Sequence, residues 1–448
     1  MKNYILFLIF FTLVSAAHAQ PKDMLPSKAQ LKWADAEIGV MYHLDMQVFE
    51  PAYEFRKDWN YQPDVSKFNP KELDTDQWIK SAKAAGATYA VLVAKHCSGF
   101  SLWPTKAHEY SVKNAPWRNG EGDIVKDFIA SCKKYGVKPG LYASASVNAF
   151  LKVNNPGRVI SGNAADQEKY KEVVKTQLTE LWSQYGELFE IWFDGGVLPA
   201  DKGGIDMRTL LQKYQPNAAA FQGPYGYKNN IRWVGNESGV APYPCWSRAD
   251  STTSATGVVE IKGLNGNPDG GFWCPGEADF ALRKNAFQGG WFWKEGQEDK
   301  IRTLTDLRTR YDETVGRNTN MILGVVVDNR GLVPEADVKR LAEFGDALTQ
   351  RFAKSLGSTS GKNNELVVNF NASQLVSDVV IQEDISKGER VREYKLYGRQ
   401  GNSWKQIAHG SSIGHKRIEV IKDGEYSGIK LEIVKSDGKP GIKNLQIY

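Results

Sequence analysis

An α/β chain, a (β/α)8 TIM-like barrel followed by a small C-terminal antiparallel β-sandwich, is the architecture this sequence predicts. From Glu37 to about Phe352, strand-like and helix-like segments alternate, as in parallel strands joined by helical crossovers. Beyond about residue 365 the apolar period changes to two, the mark of half-buried strands. A doubly wound open sheet is the rival, but no Gly-rich phosphate loop follows the first strand.

Residues 1–19 read as a cleavable signal peptide, with Lys2, an apolar core from Ile5 to Val14, and the small-x-small site Ala17-His18-Ala19. No Cys follows that site, which argues against a lipid-modified N-terminus. The expected location is periplasmic or secreted. No other stretch approaches the roughly 18 apolar residues that span a bilayer, so no membrane span is expected.

The barrel is expected over residues 20–355. Ile38 to Leu44 reads as a strand and Asp74 to Ala85 as an amphipathic helix closed by Gly86. Thr88 to Lys95 is a strand, Asp123 to Tyr135 a helix closed by Gly136, and Pro139 to Ser144 a strand. A helix from Ala165 to Tyr185 closes on Gly186, a typical C-terminal stop. The next strand carries Leu188, Phe189, Ile191, Trp192 and Phe193, and breaks at Asp194-Gly195-Gly196. A helix over Asp206–Tyr214 follows, then strands near Ala218–Phe221 and Arg232–Val234. A helix at Lys300–Val315, a strand at Asn320–Val327 and a helix at Pro334–Phe352 complete the barrel.

Leu356 to Asn364 reads as a polar linker. The sandwich is expected over residues 361–448, from the period-two runs Leu366–Phe370, Val376–Gln382, Arg392–Tyr397, Arg417–Ile421 and Ile429–Val434. It is expected to pack against the barrel without contributing catalytic residues.

The formal charge of +5 arises from 57 basic and 52 acidic residues, too weak and dispersed a surplus for a nucleic-acid partner. The 13 Trp and 19 Tyr suit either stacking on sugar faces or filling a large core. Cys97, Cys132, Cys245 and Cys274 lie far apart; an oxidising compartment permits disulfides, and Cys245–Cys274 is the pair to test.

Asp194 is the most informative residue. A carboxylate ending a doubly buried strand is costly unless used, and that strand end faces the active site in such barrels; the bland alternative is an Asp capping a turn. His43, His96 and Glu237 sit at or just beyond other expected strand ends. Two carboxylates there without a Cys/His cluster fit glycoside hydrolysis. His43-x-Asp45 lacks the further histidines of a catalytic metal site, so neither metal nor cofactor is expected. No nucleophile elbow supports a serine triad.

Val40-Met41-Tyr42-His43, Lys95-His96-x-x-Gly99-Phe100-x-Leu102-Trp103-Pro104, Ile191-Trp192-Phe193-Asp194-Gly195 and Val315-Gly316-Arg317-Asn318 together resemble the α-L-fucosidases of glycoside hydrolase family 29. Val391 to Tyr397 resembles that family's β-sandwich. The resemblance implies an exo-acting retaining glycosidase acting on an oligosaccharide or glycoconjugate, with Asp194 as nucleophile. Arg232 to Glu237 resembles the acid/base text of the linkage-selective branch, which implies Glu237 in that role, with Glu277 in reserve. His43, His96 and Trp192 match sugar-contacting positions, and Trp291 and Trp293 either wall the pocket or belong to the core. Cys97 and Ser98 depart from the family's second His and the Asp after it, and Leu44-Asp45 replaces its strand-one Gly. The alternatives are therefore an α-L-galactosidase, another hydrolase of fucose-related sugars, or a catalytically silent carbohydrate-binding protein.

Overall fold

Eight parallel strands close into a barrel in chain order in the computed structural model, which describes residues 24–448 except 55, 236, 254–258, 286–289 and 423. The expected signal peptide and Asn236 lie outside the described residues. The barrel strands are β1 Ile38–His43, β2 Tyr89–Lys95, β3 Lys138–Ala143, β4 Glu190–Trp192, β5 Ala219–Phe221, β6 Asn230–Trp233, β7 Gly276–Ala281 and β8 Thr319–Val326. β8 returns to pair with β1, Ile38 opposite Met321. Seven of these follow from their apolar runs. β7, text Gly-Glu-Ala-Asp-Phe-Ala, is not among the strands expected from the sequence; it is a strand because Glu277 and Asp279 point inward to polar partners, while Ala278 and Phe280 pack outward.

The crossover helices start where side chains satisfy their free N–H groups. Asp74 accepts from Gln77 N (3.2 Å) ahead of the helix Thr75–Ala84, and Asp123 accepts from Lys126 N (2.8 Å) ahead of Ile124–Tyr135. Asn163, Asp206 and Thr303 do the same for Ala164–Ser183, Met207–Tyr214 and Leu304–Glu313. Glu335–Arg351 closes the barrel's outer layer. Among the described residues, no helix separates β5 from β6, and the β6–β7 crossover carries three antiparallel strands, Arg248–Thr253, Val259–Lys262 and Phe272–Trp273, in place of one. The architecture is thus the expected barrel with two of its helices replaced.

A helix not expected from the sequence, Lys28–Ala34, plugs the amino-terminal end of the barrel. Trp33 is 1% exposed within the inward-facing cluster. Asn320 Nδ2 donates to Trp33 O at 2.7 Å, and Gln30 Nε2 to Asn230 O at 2.8 Å.

The C-terminal unit consists of two four-stranded antiparallel sheets around a core that includes Val379, Tyr394, Leu396, Ile429 and Leu445. Its first strand, Gly357–Gly361, lies in the stretch expected as a linker, because its backbone pairs with Ile442–Ile447. The Val315–Asn318 motif turns out to be a docking element. Ile418 N donates to Gly316 O (3.1 Å) and Asn318 N to Lys416 O (3.0 Å), while Arg351 joins Asp378 across the interface at 2.6 Å. All four cysteines are free and buried, Cys245 and Cys274 included.

Candidate active site

Glu237, His43, His96 and Asp194, expected at the carboxyl face, are joined into an unbroken chain of contacts by Trp291, Phe292 and Tyr142. Glu237 Oε2 accepts from Trp291 Nε1 at 2.8 Å. The Trp291 ring lies 4.9 Å from His43, and Phe292 touches both histidines, at 5.2 Å from His43 and 4.8 Å from His96. His96 stacks on Tyr142 at 5.8 Å, and the Tyr142 hydroxyl donates to Asp194 Oδ2 at 3.0 Å.

Asp194 follows β4 at a turn whose next residues, Gly195 and Gly196, have φ of 72° and 76°. That left-handed backbone favours glycine, and a Cβ at Gly195 would stand 2.8 Å from Ser146 Oγ. The same hydroxyl donates to Asp194 O, so the turn aims the carboxylate. Burial raises the Asp194 pKa, while the Tyr142 hydrogen bond and the Arg56 charge oppose the rise.

Glu237 takes the left-handed conformation at φ 61°, strained for a non-glycine residue and common at functional sites. Burial raises its pKa, the Trp291 hydrogen bond lowers it, and the negative charge of Asp194 raises it again. The charge of Asp194 thus acts on Glu237 in the direction that keeps an acid protonated beside an ionised nucleophile.

Both histidines are held neutral. Burial pushes His43 down to about 3 and His96 well below its ordinary value, the latter helped by the charge of Lys95 and by His43, since the two rings cannot both take up a proton. His43 Nδ1 lies 3.3 Å from Met41 O, which only accepts, so Nδ1 carries the proton and Nε2 faces away as an acceptor. Neutral imidazoles suit the hydroxyls of an uncharged sugar.

Trp192 stacks on Phe221 at 3.8 Å and donates from Nε1 to Glu277 Oε1 at 2.8 Å. Glu277 is 0% exposed, and its other oxygen accepts from Tyr89 OH at 2.7 Å. Both oxygens of the reserve acid are thus engaged inside the barrel. Trp293 is partly buried against the core; the ring that joins Trp291 in facing the histidines is Phe292.

Tyr142, Phe292, Asp45 and Asp279 were not singled out as site residues. Asp279 accepts from Trp233 Nε1 at 2.6 Å, and burial pushes its pKa up to about 7. Strand alternation from Glu277 was the signal that locates Asp279. Asp45 caps the short helix Met46–Phe49 and accepts from Ser98 Oγ. Among the described residues, His96, Cys97 and Asp194 bring possible metal-ligating atoms within 4.8 Å of one another.

The chain is similar to known proteins of one family. A family model described as Alpha-L-fucosidase matches residues 25–351. Alpha-L-fucosidase 1 of Arabidopsis thaliana is 29% identical, over 99% of this chain and 93% of the plant protein. A crystal structure from Bacteroides thetaiotaomicron VPI-5482 is 36% identical with a TM-score of 0.87, covering 95% of this chain and 99% of that one. A glycoside hydrolase 29 family member from an unknown rumen bacterium is 27% identical with a TM-score of 0.79, covering 96% and 78%.

Proposed function

We propose, given that this chain belongs to the alpha-L-fucosidase family, glycoside hydrolase family 29, that it is an exo-acting retaining enzyme of the linkage-selective branch, releasing terminal L-fucose from glycans. Membership makes it a glycoside hydrolase; the mechanism, the branch and the sugar are our reading. The observation that carries it is the contact chain from Asp194 through Tyr142, His96, Phe292, His43 and Trp291 to Glu237.

Asp194 attacks the anomeric carbon as the glycosidic C–O bond breaks, and the departing oxygen takes the proton of Glu237. Glu237 then removes a proton from water as the water oxygen bonds to the same carbon and Asp194 leaves, so two inversions retain configuration. His43 and His96 bind sugar hydroxyls as neutral partners, while Trp192 and Trp291 cover its apolar face. The leader sequence Lys2 to Ala19 supports release to the periplasm or the medium.

Cys97 and Ser98 favour one second reading, a hydrolase of a fucose relative such as L-galactose. Rates on aryl α-L-fucoside and aryl α-L-galactoside decide between the two. Asp194→Ala should abolish whichever activity is found. Equal traces in both proteins would instead leave a silent sugar-binding barrel. Azide should rescue Glu237→Ala as a glycosyl azide of retained configuration; an unimpaired Glu237→Ala on natural glycans would pass the role to Glu277.

A further inference from the structure

The geometry points to a binding site for a thiophilic divalent cation, of the zinc type, formed by His96, Cys97 and Asp194, whose occupancy switches hydrolysis off. One ligand atom from each residue lies within 4.8 Å of the other two, and Cys97 Sγ is 3.9 Å from His96 Nε2. A tetrahedral zinc ion with bonds of about 2.3 Å to sulfur and about 2.0–2.1 Å to nitrogen holds such a pair roughly 3.6 Å apart. Small side-chain rotations close the difference.

An independent observation concerns the other face of the imidazole. Asp45 is 2% exposed, and its Oδ1 is engaged by Met46 N (2.7 Å) and Ser98 Oγ. Its Oδ2 has no hydrogen-bond partner in the structure and lies 3.9 Å from His96 Nδ1. At 3.9 Å this buried oxygen makes no hydrogen bond to the imidazole. Turning the ring onto a bound metal lets Nδ1–H donate to it, the outer half of a carboxylate–histidine–metal relay that orients the ring and makes the ligating nitrogen more basic.

The donor set defines the ion. One sulfur, one imidazole nitrogen and one carboxylate oxygen suit a borderline-soft cation, whereas magnesium and calcium require oxygen ligands. On binding, the Cys97 thiol releases its proton to solvent and the thiolate takes up the metal, with no change of oxidation state. Three protein ligands leave a fourth position for water. The metal contributes nothing to hydrolysis, because it ties up the Asp194 carboxylate that would attack the sugar. This inhibitory consequence rests on the nucleophile reading of Asp194; the binding itself does not.

Titration of the full chain with cobalt(II) alone tests the binding. A saturable thiolate-to-cobalt charge-transfer band is expected, at one ion per chain, displaced by zinc and absent in Cys97→Ser. In parallel, zinc should inhibit aryl α-L-fucoside hydrolysis reversibly, with EDTA restoring the rate. Cys97→Ser should need about tenfold more zinc or beyond for half-inhibition of its own uninhibited rate. Circular dichroism checks that the variant folds, with Cys97→Ala as a second variant. A missing band in the wild type, a band that survives in both variants, or a rate that rises with zinc would overturn the proposal. If no fucoside is hydrolysed, the cobalt spectrum still decides the site, and only the reading of the activity fails.

Discussion

Trp291 holds Glu237 through a 2.8 Å hydrogen bond from its indole nitrogen, and the ring that makes this bond rests on Gly324 of β8. A Cβ at position 324 would stand 2.0 Å from the indole. The left-handed backbone of Glu237 is thus accompanied by a side-chain tether whose seat is a bare patch on a neighbouring strand.

Trp291→Phe keeps an aromatic wall and removes the donor. The lost hydrogen bond served the ionised form of Glu237, so its pKa should rise and the basic limb of kcat/KM should move to higher pH. Gly324→Val should displace the ring and lower kcat/KM without unfolding the barrel. A basic limb that stays in place or moves down in Trp291→Phe would show that the bond does not set this acid.

Tyr142→Phe removes the hydroxyl on Asp194 and keeps the ring under His96. A hydrogen bond to a charged group contributes about 1.5–3 kcal/mol, so kcat/KM should fall by roughly tenfold to a hundredfold. The acidic limb should shift upward, since the anion of Asp194 loses a donor. Unchanged rates across pH would separate Tyr142 from the chemistry.

Glu277 makes stability depend on pH with an unusual sign for a carboxylate. Burial raises its pKa to about 7 from an ordinary 4.5, and the buried Glu190 beside it is raised as well, so between those values the folded pair holds a proton that the unfolded chain has released. The contribution is complete below about pH 4.5 and is lost as the pH rises toward about 7. Glu277→Gln stays neutral and still accepts from Trp192, so its Tm relative to wild type should be higher at pH 8 than at pH 4.5. The opposite trend would refute the burial account.

Arg351 secures the sandwich to the barrel through Asp378 (2.6 Å) and Asp312 (2.7 Å), with 8% of its own side chain exposed. Arg351→Ala leaves largely buried carboxylates without their cation, which should cost about 3–5 kcal/mol, read from urea midpoints. Residual activity of the folded fraction should be close to wild type, because none of these three residues belongs to the contact chain from Asp194 to Glu237.

Several elements were determined by the sequence alone, because their causes are local. The apolar runs of β1, β2 and the strand into Asp194 bury both faces wherever they are placed, and Asp74, Asp123 and Asp206 sit one residue before helices whose free N–H groups they satisfy. The break from Trp192-Phe193 into Asp194-Gly195-Gly196 likewise announced a strand end and the turn after it. Only the tertiary structure decided what became of the polar text. Gly276–Ala281 is a barrel strand because Tyr89, Trp192 and Trp233, 188, 85 and 46 residues away from their acids, donate to Glu277 and Asp279. Gly357–Gly361 is a strand because Ile442–Ile447 pairs with it, and Val315–Asn318 docks the sandwich. A short apolar segment carries its own reason for burial, whereas a buried carboxylate or a polar backbone is stabilised only by hydrogen-bond partners that distant segments bring.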